Sequence, residues 1–204
     1  MITIIDYGLG NIQAFVNLYR RLDIGVRVAR TSEDVTSAER IILPGVGAFD
    51  HAMELLQKSG MRESLDAVVA AGRAPVLGIC VGMQILAGSS EEGKLPGLGF
   101  IDGAVRKLDA ARATAPIRLP HMGWNDVAPT TRGGLFAGLE DAARFYFLHS
   151  YYFACAERAD ELARTDYGGP FASAVRRGRV YGVQFHPEKS HHFGVRLLQN
   201  FAEI

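Results

Sequence analysis

The sequence predicts an α/β fold, with a mostly parallel central sheet between helices and antiparallel strands added in its second half. Three observations carry that expectation. Short β-branched or leucine-rich runs that stop at Gly or Pro recur through the first eighty residues, as strands buried on both faces do. Helical stripes lie between these runs, in the alternating order that right-handed crossovers build into a parallel sheet. Beyond Phe100 the pattern changes to short alternating segments separated by Gly-, Pro- and Asp-containing turns.

In chain order, Thr3 to Asp6 is the first strand. A helix follows from near Asn11, its cap, with Ile12, Phe15, Val16, Tyr19 and Leu22 on one stripe. Strands at Val26 to Ala29 and Arg40 to Leu43 lead to a turn at Pro44 to Gly47. A helical region then runs from about Asp50 to Ala71, broken at Gly60, and Pro75 to Ile79 is a further buried strand. In the second half Arg144 to Leu148, Tyr151 to Cys155, Phe171 to Val175 and Val180 to Phe185 read as antiparallel additions. A closing helix from His192 carries Val195, Leu198, Gln199 and Phe201, with Leu197 flanking the stripe. No repeat or linker divides the chain, so residues 1–204 read as one domain.

Twenty-two basic side chains balance twenty-two acidic ones. No net field therefore favours nucleic acid or an anionic membrane. The N-terminal run has no basic leader, and no apolar stretch approaches the length of a membrane span, so the protein reads as cytoplasmic. Two cysteines without a metal-ligand pattern argue against a disulfide framework or a zinc site. A cysteine that matters here matters as a thiolate.

Gly78-Ile79-Cys80-Val81-Gly82 places a nucleophile between two glycines, after the apolar run Pro75-Val76-Leu77 and before the helical Met83-Gln84-Ile85-Leu86. That is the strand, turn and helix setting of a nucleophile elbow, where side chains two residues either way would collide. The positive end of the helix favours a thiolate there, and the Val81 N–H points at a developing oxyanion. Taken alone, Cys80 reads equally as a small buried residue at a strand end. Cys155 lacks the glycines and reads as core.

Val183-Gln184-Phe185-His186-Pro187-Glu188 ends a β-rich run with a histidine and a carboxylate two residues apart, which project to one face of an extended backbone. Pro187 keeps His186 extended. Glu188 then orients the imidazole, and Cys80, His186 and Glu188 make a thiolate, imidazole and carboxylate triad. Without Cys80 the same residues read as a solvated surface turn. His51, His121, His149, His191 and His192 have no comparable acid in a fixed position, and His191-His192 reads as a helix start rather than a metal site.

With Leu43-Pro44-Gly45-Val46-Gly47-Ala48-Phe49, Gly78 to Gln84 and Gln184 to Ser190, the chain resembles the class I, triad-type glutamine amidotransferases from end to end. Within that family, Pro120-His121-Met122-Gly123-Trp124-Asn125 and the His-Pro-Glu-Lys-Ser ending are similar to the glutaminase subunits of imidazole glycerol phosphate synthases. The resemblance implies a flavodoxin-like three-layer α/β/α fold and hydrolysis of the glutamine side-chain amide through a thioester at Cys80, with no cofactor and no metal. It implies an oxyanion hole from the backbone of Val81, Val46 and Gly47. Gln84, Glu92, His149, Ser150 and Tyr151 would line the pocket for glutamine. It further implies a heterodimer with a cyclase subunit that uses the ammonia in histidine biosynthesis, docked through Asn11, His121, Met122, Trp124, Asn125 and Lys189. Before that resemblance, Trp124 reads as filling the core of the second half. Val81 stands where leucine is commoner in the family, and Ser150 where threonine is. Open alternatives are a glutaminase of a purine, pyridoxal phosphate or anthranilate enzyme, a peptidase or γ-glutamyl hydrolase, and a catalytically silent regulatory module on the same fold.

Overall fold

The computed structural model describes residues 1–109, 111, 113–114 and 116–204. Its parallel half opens with β1 (Ile2–Ile5), α1 (Ile12–Arg21), β2 (Val26–Ala29) and α2 (Ser32–Thr36). Next come β3 (Ile41–Gly45), α3 (Phe49–Lys58), α4 (Arg62–Ala70), β4 (Val76–Cys80) and the single turn α5 (Val81–Gln84). The antiparallel half adds β5 (Ser89–Ser90), β6 (Gly103–Lys107), β7 (His121–Pro129), β8 (Ala143–His149), β9 (Tyr151–Cys155), β10 (Glu161–Asp166) and β11 (Pro170–Arg177). β12 (Val180–Val183) and α6 (His191–Glu203) complete the chain.

The main strand order is β2-β1-β3-β4-β12-β11-β10-β7-β8, with β9 paired to β11 and β6, and β5 paired to β6. The first five strands run parallel, in the 2-1-3-4-5 arrangement of flavodoxin-like sheets. β1, β3, β4 and β12 are buried at every residue, which is why they read as continuous apolar runs rather than alternating ones. Helices gather in two groups that form the outer layers. Tyr19 Oη of α1 donates to the Leu198 carbonyl of α6 at 3.1 Å, while α2 and α4 meet through Ser32 and Ser64.

Local chemistry explains the element ends. The Asn11 side chain caps α1 by accepting from the Ala14 N–H at 3.3 Å. Gly60, at φ +72°, stands in the break between α3 and α4, a conformation glycine adopts without a Cβ penalty.

Several expectations need correction. β12 pairs antiparallel with β11 but parallel with β4, so the run from Val180 completes the parallel sheet instead of extending the antiparallel part. It also ends at Val183, before His186. The buried face of α6 is Gly194, Leu197, Leu198, Asn200 and Phe201; Val195 and Gln199 are only half-buried, because Gly194 is pressed against the Pro187 carbonyl and turns the stripe. Cys155 is half-buried rather than core, with burial and the neighbouring Glu161 and Asp160 pushing its thiol up to about 12. Trp124 is 40 % exposed and lies outside the core. The helix α2 and the strands β5, β6, β7 and β10 lie beyond what the sequence patterns anticipated. Among the described residues no helix is long and apolar enough to cross a membrane.

Candidate active site

Cys80 is the last residue of β4 and sits at φ +56°, ψ −114°, a strained conformation for a residue with a side chain. The flanking glycines are required by contact. A Cβ on Gly78 would lie 2.5 Å from the Gly82 carbonyl oxygen, and one on Gly82 would lie 1.9 Å from the Leu43 carbonyl oxygen of the neighbouring strand. The strand therefore turns sharply at Cys80. The helix it enters is one turn long, so any dipole support comes from that turn's own N–H groups.

Register fixes what stands beside Cys80. On one side Gly45 of β3 is its direct partner, which places the following Val46 and Gly47 at the same end of the sheet. On the other side Val183 pairs with Ile79, so Gln184 follows alongside Cys80 and its Nε2 donates to Sγ at 3.8 Å. Two residues on, His186 is buried and held by the backbone. Its N–H donates to the Tyr146 carbonyl at 2.9 Å, and its carbonyl accepts from Ser190 Oγ at 2.6 Å. Ser190 Oγ in turn accepts from the Tyr146 N–H at 3.0 Å, clipping the histidine loop to β8.

His186 keeps the extended conformation that the following proline favours. Beyond it, however, Pro187–Lys189 forms a 3-10 turn, so Glu188 reaches the imidazole by curling back rather than by strand alternation. Glu188 Oε1 lies 2.9 Å from His186 Nδ1, with both side chains 4 % exposed. Burial alone would pull this imidazole down, but the neighbouring Cys80 and the hydrogen-bonded Glu188 push it up to about 10. At neutral pH the histidine is thus a proton carrier poised between sulfur and carboxylate.

A cleft of about 290 Å³ opens over these residues, lined by Val46, Gly47, Cys80, Val81, Gln84, Glu92, Pro120, Leu148, His149, Ser150, Tyr151, His186 and Lys189. A larger hollow of about 630 Å³ lies between Gly138–Ala142 and α6 but holds no nucleophile, so size does not select the site. The residues expected to bind substrate gather in the smaller cleft, although their polar atoms are partly committed. Gln84 is buried rather than a surface residue of its helix; its Nε2 donates to the Tyr151 carbonyl and to Gln184 Oε1, both at 3.0 Å. Glu92 Oε2 accepts from the Phe49 N–H at 2.9 Å, capping α3 where Ala48 offers no side-chain acceptor.

His149 spends both ring nitrogens inside the protein. Nδ1 donates to the Tyr151 carbonyl at 2.8 Å, so Nε2 accepts from His121 Nδ1 at 2.9 Å, and His121 Nε2 accepts from Asn125 Nδ2 at 3.2 Å. Burial, the leading cause for both rings, lowers His149 to about 3 and His121 to about 4, which keeps the pair neutral.

The segment Pro120 to Asn125 is not a uniform surface. Its strand β7 alternates: Met122, 63 % exposed, and Trp124 face outward, whereas His121, 3 % exposed, and the half-buried Asn125 face inward. His121 and Asn125 therefore point away from the side that Met122 and Trp124 present, and reach the cleft only through His149. Trp124 stacks on His191 with ring centroids 5.3 Å apart. Asn11 and Lys189 are exposed. Sequence reasoning missed Tyr7, whose buried hydroxyl donates to the Pro44 carbonyl at 2.7 Å and steadies the end of β3. It also gave Gln184 no role, although a lone amide between Val183 and Phe185 was a visible signal.

The family model for "Glutamine amidotransferase class-I" matches residues 3–204. Over 204 residues and the whole of both chains, the protein is 60 % identical to an imidazole glycerol phosphate synthase subunit HisH of Bdellovibrio bacteriovorus. It is 48 % identical to the subunit of that name from Leptospira interrogans, again over both whole chains. Among solved structures, a glutamine amidotransferase superposes with a TM-score of 0.77 at 22 % identity, covering 99 % of this chain and 97 % of the other. PurLQS from Thermotoga maritima gives 0.73 at 16 % identity, with 99 % and 97 % covered; at such identities the likeness speaks for the fold alone. Matched over nearly its whole length by the family model, and bearing a strained cysteine beside a buried histidine and carboxylate, the chain belongs to the class-I glutamine amidotransferases.

Proposed function

We propose that the protein is the glutaminase subunit of an imidazole glycerol phosphate synthase, releasing ammonia from the glutamine side chain for a cyclase partner. The observation that carries this reading is the placement of Cys80, His186 and Glu188 at one end of two neighbouring parallel strands, under a cleft sized for a small substrate. Cys80 Sγ attacks the side-chain amide carbon, forming a C–S bond as the carbonyl electron pair moves onto oxygen. The Val81 N–H and the Val46–Gly47 backbone hold that oxyanion. His186 passes its proton to the amide nitrogen, the C–N bond breaks and ammonia leaves a thioester. Water, losing a proton to His186, then displaces the sulfur and glutamate departs. Glu188 holds the imidazole throughout.

For the glutamine α-groups, Gln84 Oε1 and the second oxygen of Glu92 are acceptors suited to an ammonium. Ser150 and the Tyr151 segment face the carboxylate, and His149 acts by holding the Tyr151 carbonyl. Ammonia is mostly protonated near neutral pH and then no nucleophile, so a sheltered transfer serves the second reaction. The outward Met122 and Trp124, with Lys189 and Asn11, form the partner face; Trp and Met suit a docking surface. The partner completes the oxyanion hole, so the isolated subunit hydrolyses glutamine slowly. Glutamate release is measured for the chain alone, with the cyclase, and with the cyclase and its ribonucleotide ligand. The expected order is slow, intermediate and fast; no release under any condition overturns the reading.

A further inference from the structure

Resting on the glutaminase reading, we infer that Gln184 is an unassigned donor to the Cys80 sulfur, and that Gln84 is the positioning residue that fixes its orientation. The Gln184 side chain is fully buried beside the nucleophile, and its Nε2 points at Sγ from 3.8 Å. An amide can flip, and a flipped Gln184 would aim an oxygen lone pair at the sulfur and repel a thiolate. Gln84 prevents this. Its Nε2 donates to Gln184 Oε1, so that oxygen must face Gln84 and the N–H must face sulfur. Gln84 is itself oriented by the Tyr151 carbonyl, which also receives the His149 N–H. The His149 end of this chain continues through His121 to Asn125, both turned inward from β7.

The chain ends on the sulfur, whose charge is consumed when it attacks the amide carbon. The titratable groups facing Sγ are His186, which carries the mobile proton, and Tyr7, whose hydroxyl is spent on the Pro44 carbonyl. Gln184 adds a donor that neither takes nor gives a proton, so it stabilises charged sulfur without competing with the base. A hydrogen bond to a charged acceptor at this long sulfur distance corresponds to roughly a tenfold effect on the population of the charged form.

The test is alkylation of Cys80 by iodoacetamide across a pH series in a Cys155→Ser background, comparing the parent with Gln184→Met and Gln84→Met. Gln184→Met keeps the length of the side chain and removes its donor. On the rising limb of the profile alkylation should slow about tenfold, with the profile displaced to higher pH and the plateau rate kept. Gln84→Met should give a smaller displacement in the same direction. In turnover with the cyclase, Gln184→Met should lower kcat about tenfold with KM within about twofold. A profile that superimposes on the parent overturns the inference. Should Gln184→Met fail to fold, the parent still decides: the Gln184 side-chain amide resonances must follow the pH profile of alkylation, and resonances indifferent to it overturn the inference. Alkylation needs no turnover, so a protein that alkylates as stated but never releases glutamate sinks the glutaminase reading alone.

Discussion

The two halves of the sheet are built under different constraints and contribute different things. In the parallel half, strands buried on both faces touch through backbone, and the fit is so close that Gly82 has no room for a Cβ. In the antiparallel half, β7 and β8 pair as a half-exposed ribbon whose residues alternate inward and outward. The first supplies atoms that must not move, Cys80 and the backbone beside it. The second supplies residues that line the cleft on one side and meet solvent on the other. A cleft assembled this way has its cysteine in the dense half and much of its wall in the half-exposed one.

The largest effect that would break this division is the loss of the nucleophile. Cys80→Ala should reduce glutamine hydrolysis by about 10⁴-fold or more while the melting temperature moves by only a few degrees, because the site tolerates a smaller side chain. Steady-state ammonia release checks it, and retained activity would place the chemistry elsewhere.

Next comes a paired glycine test. Gly82→Ala drives a Cβ into the Leu43 carbonyl and should destabilise by more than about 3 kcal/mol or prevent folding. Gly123→Ala in β7 has open space around its Cβ and meets only the strain of φ +128°, about 1–2 kcal/mol. Urea denaturation of both variants compares the halves directly. Equal costs would show that the dense half is no less forgiving than the ribbon.

Glu188→Gln keeps the shape of the side chain but removes the charge that orients His186, and should lower kcat roughly a hundredfold, less than His186→Ala does. The pH profile sharpens the comparison further. His186 is raised in the folded state from 6.5 to about 10, so its stabilisation is complete below pH 6.5 and disappears as pH rises toward 10. His121 and His149 are lowered to about 4 and about 3, so their stabilisation is present above pH 6.5 and disappears as pH falls toward those values. Unfolding free energy measured between pH 6.5 and 4.5 should therefore drop, by up to about 1.4 kcal/mol per pH unit for each histidine. A flat acid limb would deny that the ribbon holds a neutral histidine pair.

The smallest effect is expected at Trp124. Exposed on the ribbon and stacked on His191, it should cost less than about 1 kcal/mol of stability when replaced by alanine. Assembly with the cyclase should weaken by about 2 kcal/mol, read by titration calorimetry. Unfolding before any loss of assembly would return Trp124 to a structural role.

Legibility in the sequence followed the same division. β4, β3 and α1 were readable because burial on both faces, or on one helical stripe, leaves runs of apolar residues at recognisable spacing. β7 was not readable as a strand because its inward positions, His121, Gly123 and Asn125, are polar or bare while Met122 and Trp124 face out. The hydrophobic alternation is inverted at these positions. β10 carries register shifts between Glu161 and Arg164 that spoil a period of two, and α2 buries a single residue, Val35. The Thr31–Asp34 capping box was the available sign of α2. Within the site, Cys80, His186 and Glu188 were legible from local chemistry, whereas Gln184 and Tyr7 act through contacts that only tertiary structure creates.

The adjacency of β4 and β12, with Ile79 paired to Val183, has a consequence in time as well as in space. This seam lies inside the sheet, flanked by β3 and β11, and its residues are buried on every side. Backbone amides there open only when the whole domain does, so in deuterium exchange Ile79 and Val183 should be among the slowest protons of the molecule. The spacing of sulfur and imidazole is thereby protected for as long as the fold lasts. The exposed Val46–Gly47 loop at the same end of the sheet should exchange its deuterium many orders of magnitude sooner.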